Sequence, residues 1–172
     1  MSLPVRSALF VLLAFLALQA RGVEFATDSY RLTLPGAWRD VSAPDVITYE
    51  SASGEEEVVV GEYKLKGALG GQELRSLLEE FVEMRRSTEA QLFHGRAFIG
   101  RAFYSTSANY IQAEYWGDHA QSGQQFVTVV YATSARLLSF RYESRKRSTE
   151  FRTAAESECC LEFAFYRRSA DA

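Results

Sequence analysis

The chain has 172 residues, 47% of them hydrophobic, and a formal net charge of −3. This length predicts one domain, and the low content of 3 Pro and 11 Gly excludes a long disordered or collagen-like region. The weak acidity argues against general nucleic-acid binding, which needs a net basic surface.

Residues 1–22 have the features of a secretion signal. Arg6 supplies a positive charge, and residues 8–18 form an apolar run that is shorter than the roughly 20 residues of a membrane-spanning helix. Small residues near Ala20 fit a cleavage site. We expect a periplasmic or secreted protein with no stable membrane anchor after cleavage; an uncleaved N-terminal anchor is the alternative. Cleavage near Ala20 removes one charged residue, Arg6, which leaves 18 basic and 22 acidic residues and a net charge of −4.

The stretch over residues 30–38 predicts a strand that ends in a tight turn. Its apolar residues alternate with polar ones, as in a strand with one buried face. Pro35 and Gly36 then end the strand, because Pro lacks a ladder N–H and Gly accepts positive φ. Trp38 follows, where its ring can cover the end of the sheet.

Short alternating segments along the rest of the chain predict a mainly antiparallel sheet. Polar connections separate them, at residues 51–57 and 118–123 among others, and such short spacings favour antiparallel neighbours. After the first strand, the predicted strands cover residues 39–42, 46–50, 58–65, 97–104, 110–116, 126–132 and 138–142.

Two helices are predicted, one after the fourth strand and one near the end. Residues 72–87 place apolar side chains at helical spacing on one face. A second helix begins at Ser148 or Thr149, and an extended segment over residues 161–165 follows it. Helices on both faces explain why several strands are apolar on both sides. The predicted fold is α+β, an α/β/α sandwich with a mainly antiparallel sheet covered by two helices.

The Pro-Gly-x-Trp turn after an alternating strand, soon after a secretion signal, resembles the start of PsbP-like domains. This superfamily includes the extrinsic photosystem subunit, a nuclear Ran-binding protein and bacterial periplasmic DcrB-like proteins. The order of elements is similar over roughly residues 24–165. The resemblance implies one PsbP-like domain over residues 23–172 with a non-enzymatic accessory role. Members are associated with calcium or manganese, but this sequence lacks matching ligands.

The candidates for chemistry are few, and we assign no catalytic residue, cofactor or metal site. Asp118 and His119 are the best acid–base pair, since a carboxylate raises the basicity of an imidazole. Adjacent residues in a strand-like turn point different ways, so a solvated turn is the favoured interpretation; His94 is a weaker candidate. The run Glu55–Glu57 offers oxygen ligands for a hard cation, but such runs are typical of solvated turns.

Cys159 and Cys160 are adjacent, which works against a disulfide between them. Neighbouring α-carbons lie about 3.8 Å apart, whereas a relaxed disulfide prefers roughly 5.5–6 Å. Two free thiols near a helix end are the favoured interpretation, with a redox switch or an intermolecular bridge as alternatives.

Two features indicate a binding surface. Arg145, Lys146 and Arg147 precede the second helix, where cations are locally unfavourable. An anionic ligand, an acidic partner surface or solubility would explain them, with Arg141 and Arg152 nearby.

Tyr110 and Trp116 form the second feature, because they share a strand face with Gln112 and Glu114. A mixed aromatic and polar face is typical of protein-binding surfaces. Coverage by the terminal helix explains it equally well.

These features favour a non-enzymatic exported binding or accessory module that engages a protein partner. The alternative is a periplasmic immunity protein or inhibitor that blocks a toxic hydrolase. A third and weaker hypothesis is an enzyme that uses Asp118 and His119.

Overall fold

The computed structural model describes residues 22–92, 96–119 and 122–145, which fall into two compact units, residues 22–38 and residues 39–145. The smaller unit contains an antiparallel pair of strands, β1 (Val23–Ala26) and β2 (Arg31–Leu34). Leu32 and Leu34 are buried between exposed or half-buried neighbours, which confirms the predicted alternation. Strand β1 was not predicted.

The turn after β2 has the geometry that its sequence predicts. Gly36 adopts a φ of 82°, in the left-handed region that glycine tolerates. The indole Nε1 of Trp38 donates a hydrogen bond of 2.8 Å to the carbonyl oxygen of Pro35. This bond fixes the Trp38 side chain back onto the turn.

An eight-stranded antiparallel sheet accounts for most of the remaining described residues. Its order is β3-β4-β5-β10-β9-β8-β6, and β7 also pairs with β8. The long strands β5, β10, β9 and β8 lie at its centre. The strands are β3 (Trp38–Asp40), β4 (Ile47–Ser51), β5 (Glu56–Lys64), β6 (Ala97–Ile99), β7 (Phe103–Thr106), β8 (Ile111–His119), β9 (Gln125–Ala132) and β10 (Arg136–Ser144).

Helix α1 (Gly71–Leu92) packs its apolar face on the sheet. The apolar core combines helix residues with residues of β8, β9 and β10. It comprises Leu74, Leu78, Phe81, Val82, Ile111, Ala113, Tyr115, Phe126, Val130, Ala132 and Leu137. The helix follows the fifth strand, one later than predicted, because β1 precedes the rest. It also runs beyond the predicted end at residue 87, to Leu92, although the apolar pattern stops.

The sheet edge beside β8 differs from its prediction. Residues 97–104 form two short strands, and Gly100 between them donates a backbone hydrogen bond of 2.8 Å to Trp116. Strand β8 continues past the predicted end at 116 to His119, which is buried. The turn that follows closes through Gly123, at a φ of 68°. His119 is therefore not part of a solvated turn.

The described residues confirm a mostly antiparallel sheet with one helix packed on it. The predicted second helix, the extended segment after it, Cys159 and Cys160, and residues 1–21 all lie outside the described residues. The two-helix cover therefore stays a prediction. None of the helical residues that are described forms a segment long and apolar enough to cross a membrane.

Candidate functional site

Strand β8 divides its side chains between two environments, because successive residues of a strand point to opposite faces. Ile111, Ala113 and Tyr115 are buried in the core beneath α1. Glu114 and Trp116 lie on the other face and are less buried. This division of residues 111–116 follows the predicted faces.

Three large aromatic side chains are exposed together on that other face. Trp116 is 41% exposed, Phe98 57% and Phe103 67%. The register places Phe98 opposite Asp118 and Phe103 opposite Glu114, so both rings neighbour Trp116 diagonally. The ring centroids of Phe98 and Trp116 are 5.4 Å apart. We call Phe98, Phe103 and Trp116 the aromatic face.

Gly100 sets the position of the indole within the aromatic face. A Cβ atom at Gly100 would lie 3.1 Å from Cε2 and 3.3 Å from Nε1 of Trp116. The indole therefore leans over Gly100, across the gap between β6 and β7. Any side chain at this position would force the indole or the strand to shift by a few tenths of an ångström.

Two carboxylates flank the central ring of the aromatic face. Glu114 and Asp118 lie two residues before and after Trp116, on the same side of β8, and both are half-buried. Within the described part of the chain, neither forms an ion pair or a side-chain hydrogen bond. Among the described residues, the two carboxylates beside the aromatic face therefore have no cation paired with them.

The other predicted binding residues do not join this face. Tyr110 lies about 20 Å from Trp116 along the extended chain, and its half-buried ring packs edge-on against Tyr131 at 5.3 Å. Arg145 is exposed, and its backbone N–H donates to the carbonyl oxygen of Glu55 at 3.0 Å. Lys146 and Arg147 lie outside the described residues, as does His94.

Arg141 belongs to a buried cluster and not to a basic surface. Its guanidinium donates to carboxylate oxygens of Glu89 and Glu143 and lies 3.5 Å from Nε2 of His119. The same group stacks 4.0 Å above the ring centroid of Phe126. Glu89 and His119 are each only 4% exposed. We call Arg141, Glu89, Glu143 and His119 the Arg141 cluster.

The Arg141 cluster fixes the end of the helix to the sheet. Glu89 lies near the end of α1, and Tyr115 of β8 donates a hydrogen bond of 3.3 Å to the same carboxylate oxygen that Arg141 binds. Burial, reinforced by the charge of Glu89, raises the pKa of Tyr115 to about 12. The phenol therefore stays protonated and remains a donor.

The Asp118–His119 pair lacks the geometry of an acid–base couple. The two residues are consecutive on β8 and point to opposite faces, so the Asp118 carboxylate does not orient the imidazole. His119 instead packs in the Arg141 cluster and against the ring of Phe126. The third hypothesis, which relied on this pair acting together, is not supported by these positions.

Strand β5 begins at Glu56, so Glu55 precedes the strand, whereas Glu56 and Glu57 belong to it. Glu56 accepts a hydrogen bond of 2.7 Å from the Tyr142 hydroxyl. Glu57 lies directly opposite Glu50 and Glu143, and burial, with the charges of Glu143 and Glu50, raises the pKa of the Glu57 carboxyl. Among the residues described, no three His, Cys, Asp or Glu side chains are arranged to hold a metal ion.

The architecture matches a solved structure. The solution structure of cyanobacterial PsbP (CyanoP) from Synechocystis sp. PCC 6803 aligns with a TM-score of 0.63. The match covers 86% of this chain and 94% of that chain, at 12% sequence identity. No family model matches the sequence, and no curated protein matches it. A likeness at this identity concerns the fold alone, and it confirms the resemblance seen in the sequence: the chain has a PsbP-like fold.

Proposed function

We propose that this protein is a non-enzymatic binding module that engages a protein partner through the aromatic face. The observation that carries the proposal is the exposure of Phe98, Phe103 and Trp116 side by side. Contiguous exposed apolar surface of this kind marks interaction sites. Trp is also among the residues that most often dominate binding energy at protein interfaces.

The aromatic face offers binding energy because its rings still contact water. An aromatic side chain buries 150–250 Å² when it is covered, and apolar burial contributes roughly 25 cal/mol per Å². Covering the remaining exposed part of each ring would therefore contribute on the order of 1–3 kcal/mol. A partner that covered all three would gain enough to offset part of the entropic cost of association.

The packing of Trp116 also supports a binding role. Its indole is held over Gly100 and against Phe98, so the ring is oriented before any partner arrives. A pre-oriented ring loses little rotamer freedom on binding, which favours affinity.

The polar groups of the Arg141 cluster support a structural role for that cluster. Glu89 of α1 and His119 and Tyr115 of β8 are buried, and each contacts another member of the cluster or its neighbours. Such low exposure leaves these groups little surface that a substrate could contact. This burial is why we favour binding over catalysis.

We also propose, from the sequence, that residues 1–22 direct export and are then removed. A second helix that begins at Ser148 or Thr149 would complete the α/β/α sandwich. An inhibitor of a toxic hydrolase is one particular form of the same binding role, and the identity of the partner distinguishes it from an accessory module.

Site-specific photo-crosslinking tests the proposed function. A photoreactive residue replaces Phe103 on the aromatic face or, as a matched control, the exposed Met84 on α1. In the cells that produce the protein, we expect a discrete protein adduct from position 103 and none from position 84. Adding Trp116→Ala should abolish the adduct.

Equal adducts from both positions, or an adduct that persists in Trp116→Ala, would overturn the proposal. So would the absence of any adduct from position 103 in cells where position 103 is labelled and the protein is folded.

A further inference from the structure

The charges around Trp116 indicate which kind of partner the aromatic face would bind. Glu114 and Asp118 flank the indole on the same side of β8, each about 7 Å from it along the strand. Phe103 lies opposite Glu114, and Phe98 lies opposite Asp118. The centre of the face is thus one indole with a carboxylate and a phenyl ring on either side.

In the described structure, Glu114 and Asp118 lack the ion pair with an arginine that most of the other glutamates in strands form. Elsewhere an arginine lies within ion-pair distance of the carboxylate, as it does for Glu24, Glu50, Glu62 and Glu143. Arg101, exposed in the loop between β6 and β7, pairs with neither Glu114 nor Asp118 in the described structure. The negative charge at the aromatic face is left without compensation from the nearest loop.

Any surface that covers Trp116 also covers these carboxylates, because they are its direct neighbours on the strand face. Removing a carboxylate from water without a compensating charge or hydrogen bond is costly. A purely apolar partner would therefore lose much of what the aromatic rings contribute. A cation would offset the cost, and it would also gain from the indole face by a cation–π interaction.

We propose that the partner presents a basic segment to the aromatic face, with Arg or Lys side chains flanked by apolar residues. This inference rests on the proposed function and adds the chemistry of the partner. Arg suits the site better than Lys, because its planar guanidinium stacks on an aromatic ring while it hydrogen-bonds a carboxylate. The apolar neighbours of the cation cover Phe98 and Phe103.

A random peptide library displayed on phage is the probe. The mature protein selects binders, and peptides that also bind the Trp116→Ala variant are removed. We expect the surviving peptides to be enriched in Arg or Lys next to aliphatic or aromatic residues. Their affinity should fall when the salt concentration rises from about 50 to about 500 mM, since salt screens exposed charges.

Two isosteric changes then separate charge from shape. In Glu114→Gln/Asp118→Asn, the selected peptides should bind at least about tenfold more weakly and lose most of their salt dependence. A matched double variant, Asp45→Asn/Glu80→Gln, removes the same charge at two exposed residues away from the face and should bind like the wild type. The unfolding midpoint of each variant checks that the fold is kept.

The outcomes distinguish this inference from the proposed function. If the selected peptides are neutral or acidic, or if Glu114→Gln/Asp118→Asn binds them as the wild type does, the basic partner is wrong while the aromatic face remains a binding site. If no peptide depends on Trp116, both the inference and the proposed function are wrong.

Discussion

Arg141 is the residue on which the buried charges of the sheet depend. Its guanidinium donates hydrogen bonds to Glu89 and to Glu143, and the Glu89 oxygen that accepts from Arg141 also accepts from the Tyr115 hydroxyl. The substitution Arg141→Met would leave the buried carboxylate of Glu89 without its cation. Breaking a buried ion pair in this way costs about 3–5 kcal/mol, which urea denaturation would measure as a loss of unfolding free energy.

Replacing both partners provides the control for this prediction. The double variant Glu89→Leu/Arg141→Met removes the buried carboxylate together with its cation. Most of the lost stability should therefore return. An Arg141→Met variant that loses less than about 1 kcal/mol would show that the ion pair does not hold the helix end to the sheet.

The raised pKa of Tyr115 predicts that the free energy of unfolding falls at alkaline pH. Its pKa is raised to about 12 in the folded chain, mainly by burial and then by Glu89, against about 10 when unfolded. Below that unfolded value both states are protonated. As the pH rises from about 10 to about 12, the unfolded chain loses the proton first, so the free energy of unfolding falls, by up to about 1.4 kcal/mol per pH unit.

Tyr115→Phe isolates this contribution. At neutral pH it should cost about 1 kcal/mol through the lost hydrogen bond to Glu89. Its stability should then decline less steeply than that of the wild type above about pH 10, as measured by denaturation at a series of pH values. Parallel pH profiles would contradict the predicted role of Tyr115.

Sequence reasoning at the residue scale found Trp116 but missed Arg141. The alternation along residues 110–116 was enough to place Trp116 on the opposite face from Tyr115. Arg141 was grouped with the basic residues that follow it, and it alternates with Phe140 and Tyr142, as a residue on the polar face of a strand does. Its partner Glu89 lies 52 residues earlier, and no local pattern links two positions so far apart.

At the scale of elements, the close approach of β6, β8 and β9 depends on Gly117. A Cβ atom there would lie 2.5 Å from the backbone oxygen of Phe98 and 2.5 Å from Cζ of Phe126. Because backbone must move to relieve the first clash, Gly117→Ala should cost about 1–3 kcal/mol. It should also displace Phe98 and change the fluorescence of Trp116.

Gly67→Ala is the matched control, since nothing lies within 4 Å of a Cβ atom at that position. Chemical denaturation followed by tryptophan fluorescence measures both variants. Equal stability of the two would refute the close packing at Gly117.

The long elements were predictable and the edges of the sheet were not. The helix and strands β5, β8, β9 and β10 carry enough periodicity to be seen in the sequence. The break between β6 and β7 is not visible, because small and aromatic residues alternate through it. At the break Gly100 bonds to and packs against Trp116, a residue of another strand, and local sequence does not reveal such a contact. The end of the helix extends past its apolar pattern, and Arg141 of the sheet binds Glu89 in this part of the helix.

At the scale of the molecule, the fold was recognisable from a short motif and an order of elements. The Pro-Gly-x-Trp turn and the strand pattern led to the PsbP-like resemblance, which the structural match confirms at 12% identity. So few identical residues are sufficient because hydrophobic pattern and turn chemistry, and not residue identity, specify the layers. A shared fold does not carry a shared function, so the function must be argued from the surface of this chain. Phe98 and Phe103 lie on the short edge strands β6 and β7, and the sequence does not reveal that this segment is divided into two strands.

The central claim is that the aromatic face receives a protein partner. The most direct measurement is the yield of the crosslink from position 103, compared between the wild type and Trp116→Ala in cells that produce each protein at the same level. We predict a discrete adduct in the wild type that disappears in the variant, while the Met84 control gives none in either. An adduct of equal yield in both proteins would contradict the claim.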